Sequence, residues 1–224
     1  MKTKMIGVLA AVAVLLSALA IGGTLAAFRA ETSTTNRVTV GQLGVGLVQE
    51  MGEKELSVSE DGTVRAEGVP GDRYPHVVYA ENTKDYTLYL RIGVTKYWEN
   101  ADGQKNFYAN PALIELVTEH PEDWIVLQND PNDEVAYYYY KYPLKAGEAT
   151  SNVLDAIQIS NEITNHDVTA EDGTVVNFTD LSVKLSFEAD AVQQANGPAA
   201  MLATWGTQVE IDGNGTITSV SIPE

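Results

Sequence analysis

The chain contains no cysteine. Disulfides, thiol nucleophiles, zinc–thiolate sites and iron–sulfur clusters are therefore excluded. Histidine is scarce: His76, His120 and His166 are the only three in 224 residues. They share no ligand-like spacing, so no metal ligand set and no acid–base centre can be read from them. Positive charge is also short. Fourteen Lys and Arg stand against 31 Asp and Glu, for a formal charge of −17. A surface of that sign repels phosphate, which argues against nucleic-acid partners and against docking on anionic lipid headgroups. The catalytic motifs of common enzymes are missing as well. There is no Gly-rich phosphate loop, no His-Glu-x-x-His helix and no Gly-x-Ser-x-Gly elbow. No internal repeat and no low-complexity linker occurs.

What is present suits a packed domain. Apolar residues make up 44% and charged residues 20%, enough for one core of ordinary size. This composition favours a structural or binding protein. No catalytic residues, cofactor or metal site are expected. The acidic loops Asn129–Glu134 and Asp212–Gly215 offer oxygen ligands but lack the full spacing of a calcium loop, so they read as solvated turns. Asp130 and Asp133 have the chemistry of paired glycosidase carboxylates, yet nothing separates them from the other acids.

The first 27 residues have the three-part pattern of a secretory signal peptide. Lys2 and Lys4 form a positive start. Met5 to Ile21 is apolar, interrupted only by Gly7 and Ser17. Gly22-Gly23-Thr24 then breaks the run ahead of small residues. Cleavage is expected around Ala26, Ala27 and Phe28. The apolar run is at the lower limit for a membrane-spanning helix, so an uncleaved anchor is the alternative, and the only membrane contact expected is through this segment. Removing residues 1–27 takes away Lys2 and Lys4 and no acid, which leaves −19. Ser219 to Glu224 has neither an apolar tail nor a basic stop, so no C-terminal anchor is expected.

The remainder reads as strands. Runs rich in Val, Ile, Tyr and Thr recur between Gly, Asn, Asp and Pro. Val38–Val48, His76–Ala80, Thr87–Trp98, Trp124–Leu127, Val135–Tyr142, Val175–Phe178, Leu181–Phe187 and Thr216–Ile222 are the predicted strands. Leu88, Leu90, Ile92 and Val94 alternate with Tyr89 and Arg91, the period of a half-buried strand. Asn110-Pro111 predicts a helix over Ala112–Glu119, and Pro198–Thr204 a second one ended by Gly206. Segments 99–110 and 128–134 read as surface loops. The expected fold is all-β: an antiparallel β-sandwich of jelly-roll type with one or two short helices, preceded by a signal peptide. Residues 28–48 form an N-terminal segment of their own and 49–224 a single β-sandwich domain.

One strand is dominated by a single residue type. Tyr137, Tyr138, Tyr139, Tyr140 and Tyr142 place phenols on both of its faces. Either one face is a contact surface for a partner or glycan, or the strand lies well covered inside the sheet.

The segment after the apolar run carries a resemblance. Gly22-Gly23-Thr24-Leu25-Ala26-Ala27-Phe28 runs on through Glu31, Thr34 and Asn36 to Val38-Thr39-Val40-Gly41-Gln42-Leu43-Gly44-Val45. Further on come Val69-Pro70-Gly71-Asp72, Glu81-Asn82-Thr83 and Tyr89-Leu90-Arg91-Ile92. Next are Tyr138 to Pro143 with Gly147-Glu148-Ala149-Thr150, Leu185 to Ala189 with Ala191-Val192-Gln193, and Trp205-Gly206. In this order the motifs resemble the TasA/camelysin family of exported biofilm-matrix fibre proteins of Gram-positive bacteria, which are processed by a signal peptidase of SipW type. The long central insertion of TasA itself is absent, so a smaller relative is expected.

The resemblance implies a secreted jelly-roll subunit at the cell surface that polymerises head to tail into extracellular matrix fibres. The partners it implies are further copies of the chain, the SipW-type peptidase and a minor matrix subunit. By donor-strand complementation, the N-terminal segment of one subunit fills a groove of the next. Val38, Val40, Leu43, Val45 and Leu47 supply the apolar faces of that donor strand. Burying five such side chains contributes on the order of 7–15 kcal/mol before ordering costs, at about 1.5–3 each. Two other classes compete. A monomeric cell-surface adhesin or binding module would use the tyrosine strand or the two loops. A camelysin-like metalloprotease would need a zinc motif, and none is present. Lys96 and Lys184 are candidate amines for an intramolecular isopeptide bond.

Overall fold

The computed structural model describes residues 38–40, 44–51, 56–58, 63–66, 71–163, 167–169, 173–179 and 181–223. The predicted signal peptide, its cleavage residues Ala26, Ala27 and Phe28, and the donor residue Leu43 lie outside them.

The described residues form mostly antiparallel sheet, with fifteen strands numbered here in chain order. One sheet runs β1 (Val38–Val40), β2 (Val45–Met51), β5 (Arg73–Asn82), β10 (Leu154–Ile159), β7 (Ile114–Val117). The other runs β3 (Leu56–Val58), β4 (Thr63–Ala66), β13 (Ser182–Gln193), β6 (Leu88–Glu99), β9 (Val135–Tyr140), β8 (Trp124–Leu127). Two hairpins are separate: β11 (Asp167–Thr169) with β12 (Val175–Asn177), and β14 (Gln208–Ile211) with β15 (Ile217–Ser221).

The two large sheets share one core. Val45, Leu47, Tyr74, Val78 and Ile157 of the first sheet pack with Leu90, Ile92, Val94, Val183 and Leu185 of the second. This is the layered burial of a sandwich. The alternation along β6 places Leu88, Leu90, Ile92 and Val94 in that core. Tyr89 points the other way, into a second cluster with Tyr139, Val192, Met201, Trp205, Val209 and Ile217. The lid of that second cluster is the helix α1 (Gly197–Trp205), which buries Gly197, Met201 and Trp205 at four-residue spacing along one face. Gly197 is required there, because a Cβ would sit 2.9 Å from the Tyr89 ring. Gly206 ends the helix in the left-handed region, its N–H donating to the Leu202 carbonyl.

Three sequence expectations change. Val38–Val48 is not one strand but a hairpin, β1 against β2, with Val38 opposite Leu47 and Val40 opposite Val45. Gly44 begins the return at φ +66°, a conformation that costs any residue with a Cβ. The helix expected over Ala112–Glu119 is a single 3-10 turn, Pro111–Leu113, continued by β7. The Asn110 side chain accepts from the Ala112 N–H, so the capping signal is real. The Ile-Glu-Leu-Val after the turn instead pairs with β10 and buries Ile114. Finally, β3, β4, β11 and β14 have no counterpart among the predicted strands, and neither has β10. It is covered on both faces, Asp155 included, so no alternation marks it.

Candidate functional site

The tyrosine strand does not provide a free contact surface. Tyr139 is fully buried. Tyr138 and Tyr140 turn inward against the main core, and Tyr137 packs on the second cluster beneath α1. Tyr142, past the strand end, is 40% exposed and meets Tyr140 edge to face at 5.5 Å. The expectation of an exposed phenol face is corrected accordingly. Both faces of β9 are claimed by packing, and the covering helix comes from a distant part of the chain.

The predicted donor residues divide. Val45 and Leu47 lie in the core of their own sandwich, and β2 runs in register with β5 from Val45–Asn82 to Met51–His76. Val38 and Val40 belong to β1, which forms the edge of the sheet. The β2 start is tied down further. The Thr83 N–H and hydroxyl both donate to the Gly44 carbonyl, at 2.9 and 2.6 Å.

The other residues singled out are engaged locally. The Asp130 and Asp133 carboxylates accept backbone N–H bonds of their own turn, Asn132 to Asp130 at 2.8 Å and Asp130 to Asp133 at 3.1 Å. Asp212 accepts from the N–H groups of Asn214 and Thr216. These backbone bonds, that from Thr216 first, hold its carboxyl below the ordinary carboxylate range. His76 is buried on β5, and desolvation lowers its pKa to about 4. His166 lies outside the described residues. His120, Glu122 and Asp123 bring three ligand atoms within 4.8 Å of one another on an exposed turn. His120 Nδ1 is 3.3 Å from the Glu122 carboxylate, a bond that raises the imidazole pKa. Lys96 is half-buried, its ammonium donating to the Ile114 carbonyl at 2.7 Å and its pKa lowered by desolvation.

One further concavity is not legible in the sequence. A cleft of about 720 Å³ opens between the β8–β9 loop and the C-terminal end of α1. Arg91 of β6 forms its floor. The guanidinium contacts Asp190 of β13 through Nε and Nη2, both at 3.0 Å, and donates from Nη1 to the Tyr139 hydroxyl at 3.2 Å. Its carbon lies 4.4 Å from the Tyr137 ring centroid and 5.2 Å from that of Trp205. Tyr137 can lie there because its partner across the ladder is Gly93, where a Cβ would approach the ring to 3.2 Å. Gln128, Asn129, Asn132 and Asp133 make the loop wall, and Gly206, Thr207 and Ile222 the other. The only signal in sequence is Arg91 on the polar-facing parity of β6. Its neighbours arrive from positions far along the chain.

No protein-family model, no curated protein and no solved structure matches this chain.

Proposed function

We propose that this is an exported, non-enzymatic structural protein, a β-sandwich of jelly-roll type. It assembles head to tail into extracellular matrix fibres by donating its N-terminal strand. The observation that carries the reading is the position of β1. It is a short edge strand at the N-terminal end of the sandwich, paired only to β2 among the described residues. The sequence resemblance to the TasA/camelysin family points the same way. A terminal edge strand is the element most readily exchanged between copies, since the same ladder bonds form with a neighbour as within the chain.

The donor is narrower than the sequence suggests. Val45 and Leu47 stay in their own subunit as core residues, and Val38, Val40 and Leu43, ahead of the Gly44 turn, are the part that exchanges. A β1 moved to the next subunit leaves its own β2 edge open for the preceding one. Such a contact is heterologous and does not close, so it grows as a filament. The strand edge gives backbone hydrogen bonds to whichever copy arrives.

The decisive experiment is negative-stain electron microscopy of the chain beginning at Phe28, beside a chain beginning at Gly44. Removing residues up to 48 would delete part of β2 and unfold the domain, so the shorter deletion is the informative one. Fibres from the longer chain and folded monomers from the shorter support strand donation. Folded monomers from both, by circular dichroism and sedimentation, overturn it.

A further inference from the structure

We propose that the Arg91 cleft is a binding site for a neutral saccharide. The inference is independent of fibre assembly. The cleft volume, about 720 Å³, falls in the range of small-ligand sites and suits two or three sugar rings. Its chemistry selects among ligands.

Anions are disfavoured. The single cation on the floor, Arg91, is already matched by Asp190, and Glu134 at the rim is matched by Lys105. Asp133 then remains as an uncompensated negative charge. Phosphates and acidic sugars meet no free positive group among the described lining residues. Purely apolar ligands fit no better, because one wall is made of carboxamides and a carboxylate.

A polyhydroxyl ligand matches both parts of the surface. Planar amides and carboxylates offer paired donors and acceptors to adjacent hydroxyls, and the Leu127 and Ile222 side chains in the lining offer apolar surface to the C–H groups of a sugar. The Asn129 carboxamide is exposed and makes no hydrogen bond within the described residues. Trp205 also lines the cleft, and its indole N–H, buried from solvent, has no partner among the described residues.

The wall is already in place before any ligand arrives. Gln128 Nε2 donates to the Asp133 carbonyl at 2.9 Å, and the Asp133 N–H to the Asp130 carbonyl at 2.9 Å. Asn110 Nδ2 ties the loop to its neighbour through Asn132 Oδ1 at 2.8 Å. A preorganised wall loses little entropy on binding.

The test is an NMR titration of the ¹⁵N-labelled exported protein with maltotriose, cellotriose and chitotriose, and separately with spermidine and inorganic phosphate. Saturable shifts of the Asn129, Asn132, Tyr137 and Gly206 amides with at least one trisaccharide are expected. Asn129→Ala removes a carboxamide that the fold does not use. It should weaken that binding about tenfold, the effect of one lost hydrogen bond, with the melting temperature unchanged. Val175→Ala, on the exposed hairpin away from the cleft, should leave binding unchanged. No saturable shift with any trisaccharide overturns the proposal. So do shifts confined to spermidine or to phosphate, and saccharide shifts that map elsewhere or are indifferent to Asn129→Ala.

Discussion

His76 Nε2 lies 3.3 Å from the Gln49 carboxamide oxygen, across the ladder between β5 and β2. The imidazole is buried, meets Phe187 of the opposite sheet edge to face at 5.8 Å, and has no partner at Nδ1 among the described residues. A proton on Nδ1 would therefore be a buried charge with nothing to receive it. Burial accordingly takes the pKa from 6.5 to about 4.

The expected consequence is acid sensitivity with a definite window. Between pH 6.5 and 4 the unfolded chain binds a proton that the folded chain excludes. Stability contributed by neutral His76 is present above 6.5 and is lost as pH falls towards 4, by about 3 kcal/mol. Urea unfolding at pH 7, 5.5 and 4 measures the slope, and His76→Leu should flatten it relative to the parent. Equal slopes in the two proteins would refute the assignment.

Leu47→Ala tests whether β2 belongs to its own sandwich. Leu47 is fully buried among both sheets, so truncation should cost about 2–5 kcal/mol of monomer stability. A loss below about half a kcal/mol, the size of a surface change, would mean that β2 is not held in this core.

Gly44→Ala should weaken the same region by another route. The backbone here already sits at φ +66°, a left-handed conformation that costs a residue with a Cβ about 1–2 kcal/mol, and the new methyl group would overlap the Lys84 side chain. Lys84→Ala relieves the overlap but not the backbone strain. The double variant should therefore recover only part of the loss in urea unfolding.

Arg91→Met keeps the length of the side chain and removes its hydrogen bonds. The Asp190, Tyr139 and Trp205 contacts all go. A destabilisation of about 2–3 kcal/mol is expected, as for hydrogen bonds to a charged group. Trp205 fluorescence should shift to the red as the end of α1 loosens. Arg91→Lys should rescue little, since an ammonium cannot reproduce the planar fork.

Periodic strands are legible in the sequence and long-range cover is not. Leu88 to Val94 announces β6 because one of its faces is apolar and the other carries Tyr89 and Arg91. Trp124–Leu127 is legible to the residue. Ile114–Val117 is not, because Asn110-Pro111 starts a 3-10 turn as readily as a helix, and only pairing with β10 makes the next four residues a strand. The tyrosine strand is recognisable, but its exposure depends on α1, more than fifty residues later in the chain. A longer separation, 114 residues, hides the cleft, whose Arg91 and Trp205 meet only in the folded chain.

Strands β6 and β13 pair over twelve consecutive positions, from Leu88 opposite Gln193 to Glu99 opposite Ser182. Everything from β7 to β12 lies between them in the chain. Ladders that join distant segments form slowly, because loop closure must precede the reward of pairing. On its other side β6 pairs with the earlier β9, so only the β6–β13 join at the centre of the larger sheet waits for Ser182–Gln193 to be synthesised. The ladder that locks the middle of the larger sheet is therefore among the last that the growing polypeptide can complete.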